Sequence, residues 1–195
     1  MMSDHRPDDQ HRPPSIYSDG VDWPDLFPPH GADQQVQVAV VGGGFTGIST
    51  ALNLAERGHA VHLYEAQRVG YGASGRNGGQ VCQGWTTDFD KIMKRIPSSQ
   101  RKMAWDVGVA GREIIINRCK THKIDADLRF GYLHVALHRR HMDELKAMER
   151  EWREEGYQAL ELLGDARWLE PHIATAAYIG GLYDAQSGDI HALKY

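Results

Sequence analysis

Four residues in the first third of the chain have the types and the spacing of a unit that binds phosphate and ribose. They are three glycines, Gly42, Gly44 and Gly47, and an acidic residue, Glu65, which lies 18 positions after Gly47. In such a unit the first glycine permits a tight turn, the second lets the backbone approach a pyrophosphate, and the third lets a helix pack closely against a strand. The N-terminus of that helix presents free N–H groups and a partial positive charge to the phosphates. The pattern therefore predicts a binding site for an adenine dinucleotide.

The acidic residue narrows the choice of nucleotide. A carboxylate at Glu65 is placed to bond the ribose hydroxyls, and it would repel a 2′-phosphate. FAD or NAD is therefore expected rather than NADP. The alternative is a glycine-rich loop without a ligand, because glycine motifs of this kind also occur by chance.

The residues around the glycines predict the strand, helix and strand that must position them. Residues 36–41 are rich in valine, as a buried parallel strand is. Gly58 is a helix stop, and residues 60–64 predict the second strand. Between them, one apolar helical face is formed at i, i+3, i+4 and i+7 by Ile48, Ala51, Leu52 and Ala55.

A second glycine-rich segment lies directly after the acidic residue, within a connection predicted for residues 67–87. Residues 70–80 contain five glycines in eleven positions, where a simple turn needs one or two. This density predicts a backbone that passes close to something flat or bulky. Arg76 is placed to face a phosphate or the negative charge of a reduced ring, and Asn77 and Gln80 to offer amide hydrogen bonds to a heterocycle. A flexible surface loop is the alternative.

These two segments resemble those of the D-amino-acid-oxidase-like family of FAD-dependent amine oxidoreductases. The resemblance rests on the glycine fingerprint, on Glu65-Ala66 and on the run Gly72-Ala73-Ser74-Gly75-Arg76-Asn77-Gly78-Gly79-Gln80, which is specific to the branch of the γ-glutamylputrescine oxidases. Later segments agree, so that the resemblance covers the chain from about Val36 to its end; they are Arg112–Ile115, Ile124–Asp127, Gly131–Ala136 and Gly188–Leu193.

The resemblance implies an α/β fold with an FAD-binding domain of the glutathione-reductase type, Rossmann-like and incomplete, followed by the start of a sheet-rich α+β substrate domain. It implies FAD as cofactor and oxidation of an amine, γ-glutamylputrescine-like or an amino acid, to an imine and then an aldehyde, with dioxygen as acceptor. No catalytic residue is assigned within this chain. The implied cofactor contacts are Gly42, Gly44, Phe45, Thr46, Gly47, Glu65, Ala66, Gly72, Ala73, Ser74, Arg76, Asn77, Gly78, Gly79 and Gln80.

The predicted organisation has three parts. Residues 1–35 are an irregular, proline-rich arm, residues 36–122 the N-terminal part of the FAD-binding domain, and residues 123–195 the beginning of the substrate domain. A doubly wound sheet normally has about five or six strands, but the sequence predicts only two strands of such a sheet, those of the opening βαβ unit. The chain is therefore expected to be the N-terminal portion of such an enzyme. The alternative is a truncated, catalytically inactive FAD-binding fragment.

Patterning beyond the glycine loops predicts further helices and strands. Helices are expected at 88–96, at 98–122 with a Ser98 or Ser99 cap, and at 140–155. Strands are expected at 128–137, 159–163 and 178–183, with a turn at Ser187-Gly188. Residues predicted to share a face of the second helix are Met103, Val107, Ala110, Ile114 and Asn117, and those predicted to pack inside or between domains are Trp105, Trp152 and Trp168.

Composition excludes several classes of partner. A net charge of −4 provides no electrostatic reason to expect nucleic acid or an anionic membrane, and no apolar run approaches the roughly 20 residues of a transmembrane helix. Cys82 and Cys119 are isolated and predict reduced thiols in a cytoplasmic protein. No metal site is expected from the eleven histidines, and His134 is predicted to be a half-buried structural residue. The expected partner is a small-molecule amine.

Overall fold

A computed structural model describes residues 15–19, 21, 27, 29–85 and 89–195. Most of the predicted arm and the first residue of the predicted 88–96 helix lie outside this range. The chain forms two compact units, the first ending at Gly79 and including His191–Tyr195, and the second running from Gln80 to Ile190. The predicted boundary between the FAD-binding domain and the substrate domain, at residues 122/123, is a different division from these two units and stays a prediction.

The first unit contains the predicted strand, helix and strand. Strand β1 (Val38–Val41) and strand β2 (Val61–Tyr64) pair in parallel, with Val38 opposite Val61. Helix α1 (Phe45–Glu56) connects them, and it ends before Gly58, whose φ of +86° is a conformation that glycine adopts readily. A short 3-10 helix at Ala73–Gly75 follows in the second glycine loop.

The sheet of the first unit is incomplete. Among the described residues it has two strands. Parallel sheets are normally covered on both faces, whereas here Val40 is 8% exposed and its neighbour Val41 is 86% exposed. The β-branched residues of β1 are typical of a strand that is buried on both faces. The exposed face that carries Val41 is therefore consistent with a partial α/β domain.

The second unit is built on an antiparallel sheet. Its strands are β3 (Gln80–Val81), β4 (Arg129–Ala136), β5 (Leu160–Leu163) and β6 (Gly180–Asp189). Strand β6 is central because it pairs with β4 on one side and with β5 and then β3 on the other. The predicted strands at 128–137 and 159–163 are confirmed.

Three helices complete the second unit: α2 (Phe89–Met93), α3 (Arg101–Thr121) and α4 (Arg139–Glu154). Their aromatic side chains pack edge-to-face, with the Trp105 ring centroid 5.5 Å from Phe89 and 5.8 Å from Trp152. The core of this unit is formed by Phe89, Ala104, Trp105, Tyr157, Leu160 and Leu182.

Two sequence predictions are wrong: the turn at Ser187-Gly188, which lies in strand β6, and the packing of Trp168. Ser187 and Gly188 do not form a turn, because β6 continues through them and Gly188 pairs with both Val81 and Phe130. The glycine serves close strand approach, since a Cβ at this position would lie 1.9 Å from the carbonyl oxygen of Arg129. Trp168, predicted to be packed, is 61% exposed.

Helix α3 also differs from its prediction. It is preceded by a 3-10 turn at Ser98–Gln100, and no side chain caps its N-terminus. The apolar face that contains Met103, Val107 and Ile114 is exposed. The buried residues lie elsewhere on the helix and are Ala104, Trp105, Arg112 and Cys119. The buried face is the one that carries Trp105, whose ring packs edge-to-face on Phe89, Trp152 and Tyr157.

Candidate cofactor-binding site

The turn between β1 and α1 requires glycine at two positions. Gly42 has a φ of +102°, and its N–H donates to the carbonyl oxygen of Tyr64 at 2.7 Å. A Cβ at Gly47 would lie 1.8 Å from the carbonyl oxygen of Gly42. The first turn of the helix therefore packs directly on the backbone of the glycine turn, as the spacing predicts.

The N-terminus of α1 has the features of an anion site. Its first residue, Phe45, donates its N–H to the Ser74 hydroxyl at 2.9 Å. No described residue accepts a hydrogen bond from the N–H of Thr46 or Gly47. A Cβ built at Gly42 would meet no atom within 4 Å, so the space beside the turn is open. Free N–H groups, open space and the helix dipole together fit a pyrophosphate.

Glu65 lies at the end of β2, against the glycine turn. Its Oε2 accepts a hydrogen bond from the Gly43 N–H at 2.5 Å, and its Oε1 accepts one from the Gln67 N–H at 2.9 Å. A carboxylate has about four acceptor sites, so each oxygen retains a lone pair for a ribose hydroxyl. The carboxylate is thus held in place by backbone donors. Its role toward ribose stays a prediction.

The second glycine loop is an ordered structure joined to the helix N-terminus by the Ser74 hydroxyl. The Asn77 amide donates to the carbonyl oxygen of Ser74 at 2.7 Å and accepts from the Gly79 N–H at 2.8 Å. Gly75 is buried, and a Cβ there would lie 2.2 Å from the carbonyl oxygen of Gly70. Asn77, predicted to face a heterocycle, therefore stabilises the loop itself.

The remaining predicted contacts are placed as follows. Arg76 is exposed, and its Nε donates to the carbonyl oxygen of Gly72 at 3.1 Å. Ala66 and Gly78 are exposed beside Glu65 and Asn77. Gln80 is the first residue of β3 in the second unit, where its amide nitrogen donates to the Tyr132 hydroxyl at 2.8 Å. Every predicted contact except Gln80 therefore belongs to the first unit.

A buried polar network in the second unit was missed by sequence reasoning. Asp184 is 0% exposed and accepts hydrogen bonds from the hydroxyls of Tyr157 and Ser187, each at 2.6 Å. Arg112, 4% exposed, donates to the Tyr157 hydroxyl at 2.6 Å. Burial and the Asp184 carboxylate raise the pKa of Tyr157. Arg112, Tyr157 and Asp184 lie far apart in sequence, so no local pattern connects them.

The two cysteines are both at least partly buried. Cys82 is half-buried and Cys119 is buried, both are free, and burial raises the pKa of each. The described residues contain no group of three or more His, Cys, Asp or Glu side chains arranged to hold a metal ion. Within the same residues, no helix combines the length and the apolar character needed to cross a bilayer.

His134 is half-buried, and its burial predicts a pH dependence of stability. Burial lowers the pKa of His134 below its usual 6.5, although the Asp184 carboxylate raises it. Below about pH 6.5 the unfolded chain therefore binds more protons than the folded one. This contribution to stability is full above about pH 6.5 and decreases as the pH falls toward the folded pKa.

We expect the free energy of unfolding to fall less steeply between about pH 7 and pH 5 in His134→Gln than in the unchanged chain. Denaturant titrations at a series of pH values measure this slope. His59→Gln, at an exposed position, is the matched control and is expected to retain the original slope. Equal slopes for His134→Gln and the unchanged chain would contradict the assignment.

The fold and the glycine turn define a dinucleotide-binding α/β protein of the βαβ type. A family model described as DAO, FAD dependent oxidoreductase, matches residues 37–195. The chain belongs to this family, which confirms the family and the fold class predicted from the sequence.

Individual relatives agree with the family. The chain is 42% identical over 157 residues to gamma-glutamylputrescine oxidoreductase of Escherichia coli, covering 80% of this chain and 37% of that protein. It is 38% identical over 182 residues to the probable oxidoreductase OrdL of Haemophilus influenzae, covering 93% and 42%. The crystal structure of glycine oxidase from Geobacillus kaustophilus matches with a TM-score of 0.62 and 25% identity, covering 80% and 41%. The chain therefore spans about two fifths of the length of these relatives.

Proposed function

We propose that this chain binds FAD through its first unit and supplies the cofactor-binding part of an amine oxidoreductase. The observation that carries the proposal is the N-terminus of α1, where two N–H groups without a partner among the described residues lie beside an open glycine turn and a fixed carboxylate. Bound FAD supplies the chemistry of removing a hydride from the carbon that bears an amine. The protein supplies binding, orientation and electrostatics.

The roles of the residues follow from their positions. The N–H groups of Thr46 and Gly47 face the pyrophosphate, and Gly42 leaves room for it. The Glu65 carboxylate accepts hydrogen bonds from the adenosine ribose. The 72–80 loop extends along the ribityl chain, and Arg76 offers its guanidinium to a phosphate or to the charge of the reduced ring.

The substrate is proposed to be a γ-glutamylputrescine-like amine or an amino acid, with the imine hydrolysing to an aldehyde and dioxygen as acceptor. The relatives named gamma-glutamylputrescine oxidoreductase and glycine oxidase support this choice. A second candidate is an FAD-binding chain without turnover. In the described ranges the parallel sheet has two strands and Val41 is exposed, which favours this second candidate.

A visible absorption spectrum tests the proposal. The purified chain is mixed with excess FAD, desalted and compared with Glu65→Gln and with Glu161→Gln, an exposed glutamate in β5. We expect flavin at near one-to-one stoichiometry in the unchanged chain and in Glu161→Gln. Affinity in Glu65→Gln is expected to be roughly tenfold weaker, because one charge-assisted hydrogen bond is lost.

The outcomes separate the two candidates. Bleaching of the retained flavin by an anaerobically added amine, with peroxide formed on admitting air, supports the oxidoreductase. Retained flavin that no amine bleaches supports the chain without turnover. A colourless protein after desalting would show that the first unit does not hold FAD.

A further inference from the structure

A short turn at residues 191–195 belongs to the first unit, together with the two glycine loops. The carbonyl oxygen of His191 accepts hydrogen bonds from the N–H groups of Lys194 at 3.1 Å and of Tyr195 at 3.2 Å. These bonds fix the shape of the turn. They therefore also fix the direction in which Leu193, in the middle of the turn, extends its side chain.

The side chain of Leu193 lies against two glycines of the second glycine loop. A Cβ built at Gly70 would lie 2.9 Å from Cδ1 of Leu193, and a Cβ built at Gly75 would lie 2.8 Å from the same atom. Both distances are below the 3.0 Å that real Cβ atoms keep from other heavy atoms. The Leu193 methyl group therefore occupies the space that a side chain at either position would need.

The two glycines lie where the loop is joined to the candidate pyrophosphate site. The Gly70 N–H donates to the carbonyl oxygen of Gly43, in the turn after β1, at 2.9 Å. Directly before the second glycine, the Ser74 hydroxyl accepts a hydrogen bond from the N–H of Phe45, the first residue of α1. Leu193 therefore packs on the loop at both of these connections.

A ring contact joins the same turn to the helix. The ring centroid of Tyr195 lies 5.6 Å from that of Phe45, with the ring planes at 71°, which is an edge-to-face pair. Phe45 is also the residue whose N–H bonds the loop. The turn thus contacts the loop through Leu193 and the helix N-terminus through Tyr195.

The loop has little apolar surface of its own with which to hold this position. Within residues 72–80 the only apolar side chain is the methyl group of Ala73, which is exposed. Hydrogen bonds at accessible positions contribute little net stability, because water competes for the same groups. Apolar contact with a leucine from a distant part of the chain is therefore a source of stability that the loop itself lacks.

We propose that Leu193 is a positioning residue for the cofactor: its packing on Gly70 and Gly75 holds the second glycine loop against the N-terminus of α1. The consequence for FAD rests on the proposed function, whereas the order of the loop depends only on contacts within the protein. A loop that is ordered before FAD arrives loses less conformational entropy on binding, which strengthens the affinity.

Amide hydrogen exchange in the full, isotopically labelled chain, followed by NMR without FAD, tests the order of the loop. In Leu193→Ala we expect the Gly70 and Phe45 N–H groups to exchange about tenfold faster, because the methyl groups that pack on the loop are lost and local opening becomes easier. The Gly42 N–H, which donates to the carbonyl oxygen of Tyr64 between the two parallel strands, is expected to keep its rate.

FAD titration followed by visible absorption is the second measurement. We expect FAD to bind Leu193→Ala about tenfold more weakly than the unchanged chain, because the loop must then be ordered at the expense of binding free energy. Leu193→Met is expected to restore the affinity and the exchange rates to within about threefold, because methionine has a similar volume and adapts to irregular gaps.

Leu54→Ala is the matched control for loss of stability in the same unit. Leu54 is half-buried like Leu193, but it lies near the end of α1, roughly 13 Å along the helix axis from Phe45. This variant is expected to lower the free energy of unfolding. It is expected to leave FAD affinity and the exchange of the Gly70 and Phe45 N–H groups unchanged, because these groups exchange through local opening of the loop.

Unchanged exchange of both N–H groups in Leu193→Ala would overturn the proposal, whether or not the chain binds FAD. Faster exchange with unchanged FAD affinity would overturn the role toward the cofactor. An equal loss of affinity in Leu54→Ala, or no recovery in Leu193→Met, would overturn it as well, since Leu193 would then act only through general stability. A lack of FAD retention by the unchanged chain is instead a failure of the proposed function, and the exchange rates then decide alone whether Leu193 holds the loop.

Discussion

Gly47→Ala is expected to abolish FAD retention and to lower the free energy of unfolding of the first unit by about 3 kcal/mol. The added methyl would lie 1.8 Å from the carbonyl oxygen of Gly42, closer than any tolerated contact. The helix must move away from the turn to relieve this overlap. That movement displaces the N–H groups that are proposed to bind the pyrophosphate. Absorbance after desalting measures retention, and a urea titration measures stability.

A matched control distinguishes this effect from that of any glycine-to-alanine change in a helix. Gly111→Ala lies within α3, where a Cβ would meet no atom within 4 Å. It is expected to retain FAD and to stabilise its helix by about 0.5–1 kcal/mol, because alanine has the higher helix propensity. Full FAD retention by Gly47→Ala would contradict the assignment of this turn as the cofactor site.

Asp184→Ala is expected to lower the free energy of unfolding of the second unit by about 3–5 kcal/mol. The carboxylate accepts hydrogen bonds from the hydroxyls of Tyr157 and Ser187 and from the backbone N–H groups of Gln186 and Ser187. Its removal leaves the buried Tyr157 and Ser187 without this acceptor, and it also leaves the buried Arg112 guanidinium without this nearby negative charge. A denaturant titration followed by tryptophan fluorescence measures the loss.

Two further variants separate the network from the effect of removing any aspartate. Tyr157→Phe removes one hydroxyl from the network and is expected to cost about 1–3 kcal/mol. Asp143→Ala changes an exposed residue of α4 and is expected to leave stability unchanged. A loss in Asp184→Ala no larger than in Asp143→Ala would show that the network does not stabilise the unit.

The cofactor unit was predictable from the sequence because its determinants are local. Turn geometry and helix packing within a single βαβ unit depend on Gly42, Gly47 and Glu65. The valine-rich sequence of β1 is typical of a buried parallel strand, and β1 does pair with β2 in parallel. Helix α4 was predictable for a similar reason, since its apolar residues recur with the helical period and Gly156 ends it at a φ of +93°.

Other features were decided by contacts between distant parts of the chain. Ser187-Gly188 has the composition of a turn, but Gly188 is used to bring β6 close to β4. The face of α3 that is buried depends on Trp105 and its aromatic neighbours, which no period within the helix identifies.

The sequence by itself determined the family, the glycine turn and the acidic residue that follows it, because each depends on residue type and spacing within a few tens of positions. Only the tertiary structure decided that Asn77 is used inside its own loop and that Arg112, Tyr157 and Asp184 meet. It also decided that the Gln83 amide is buried, with no hydrogen-bond partner in the part of the chain that the structure describes. Burial and pairing of polar groups are properties of packing, and packing joins residues whose separation along the chain carries no signal.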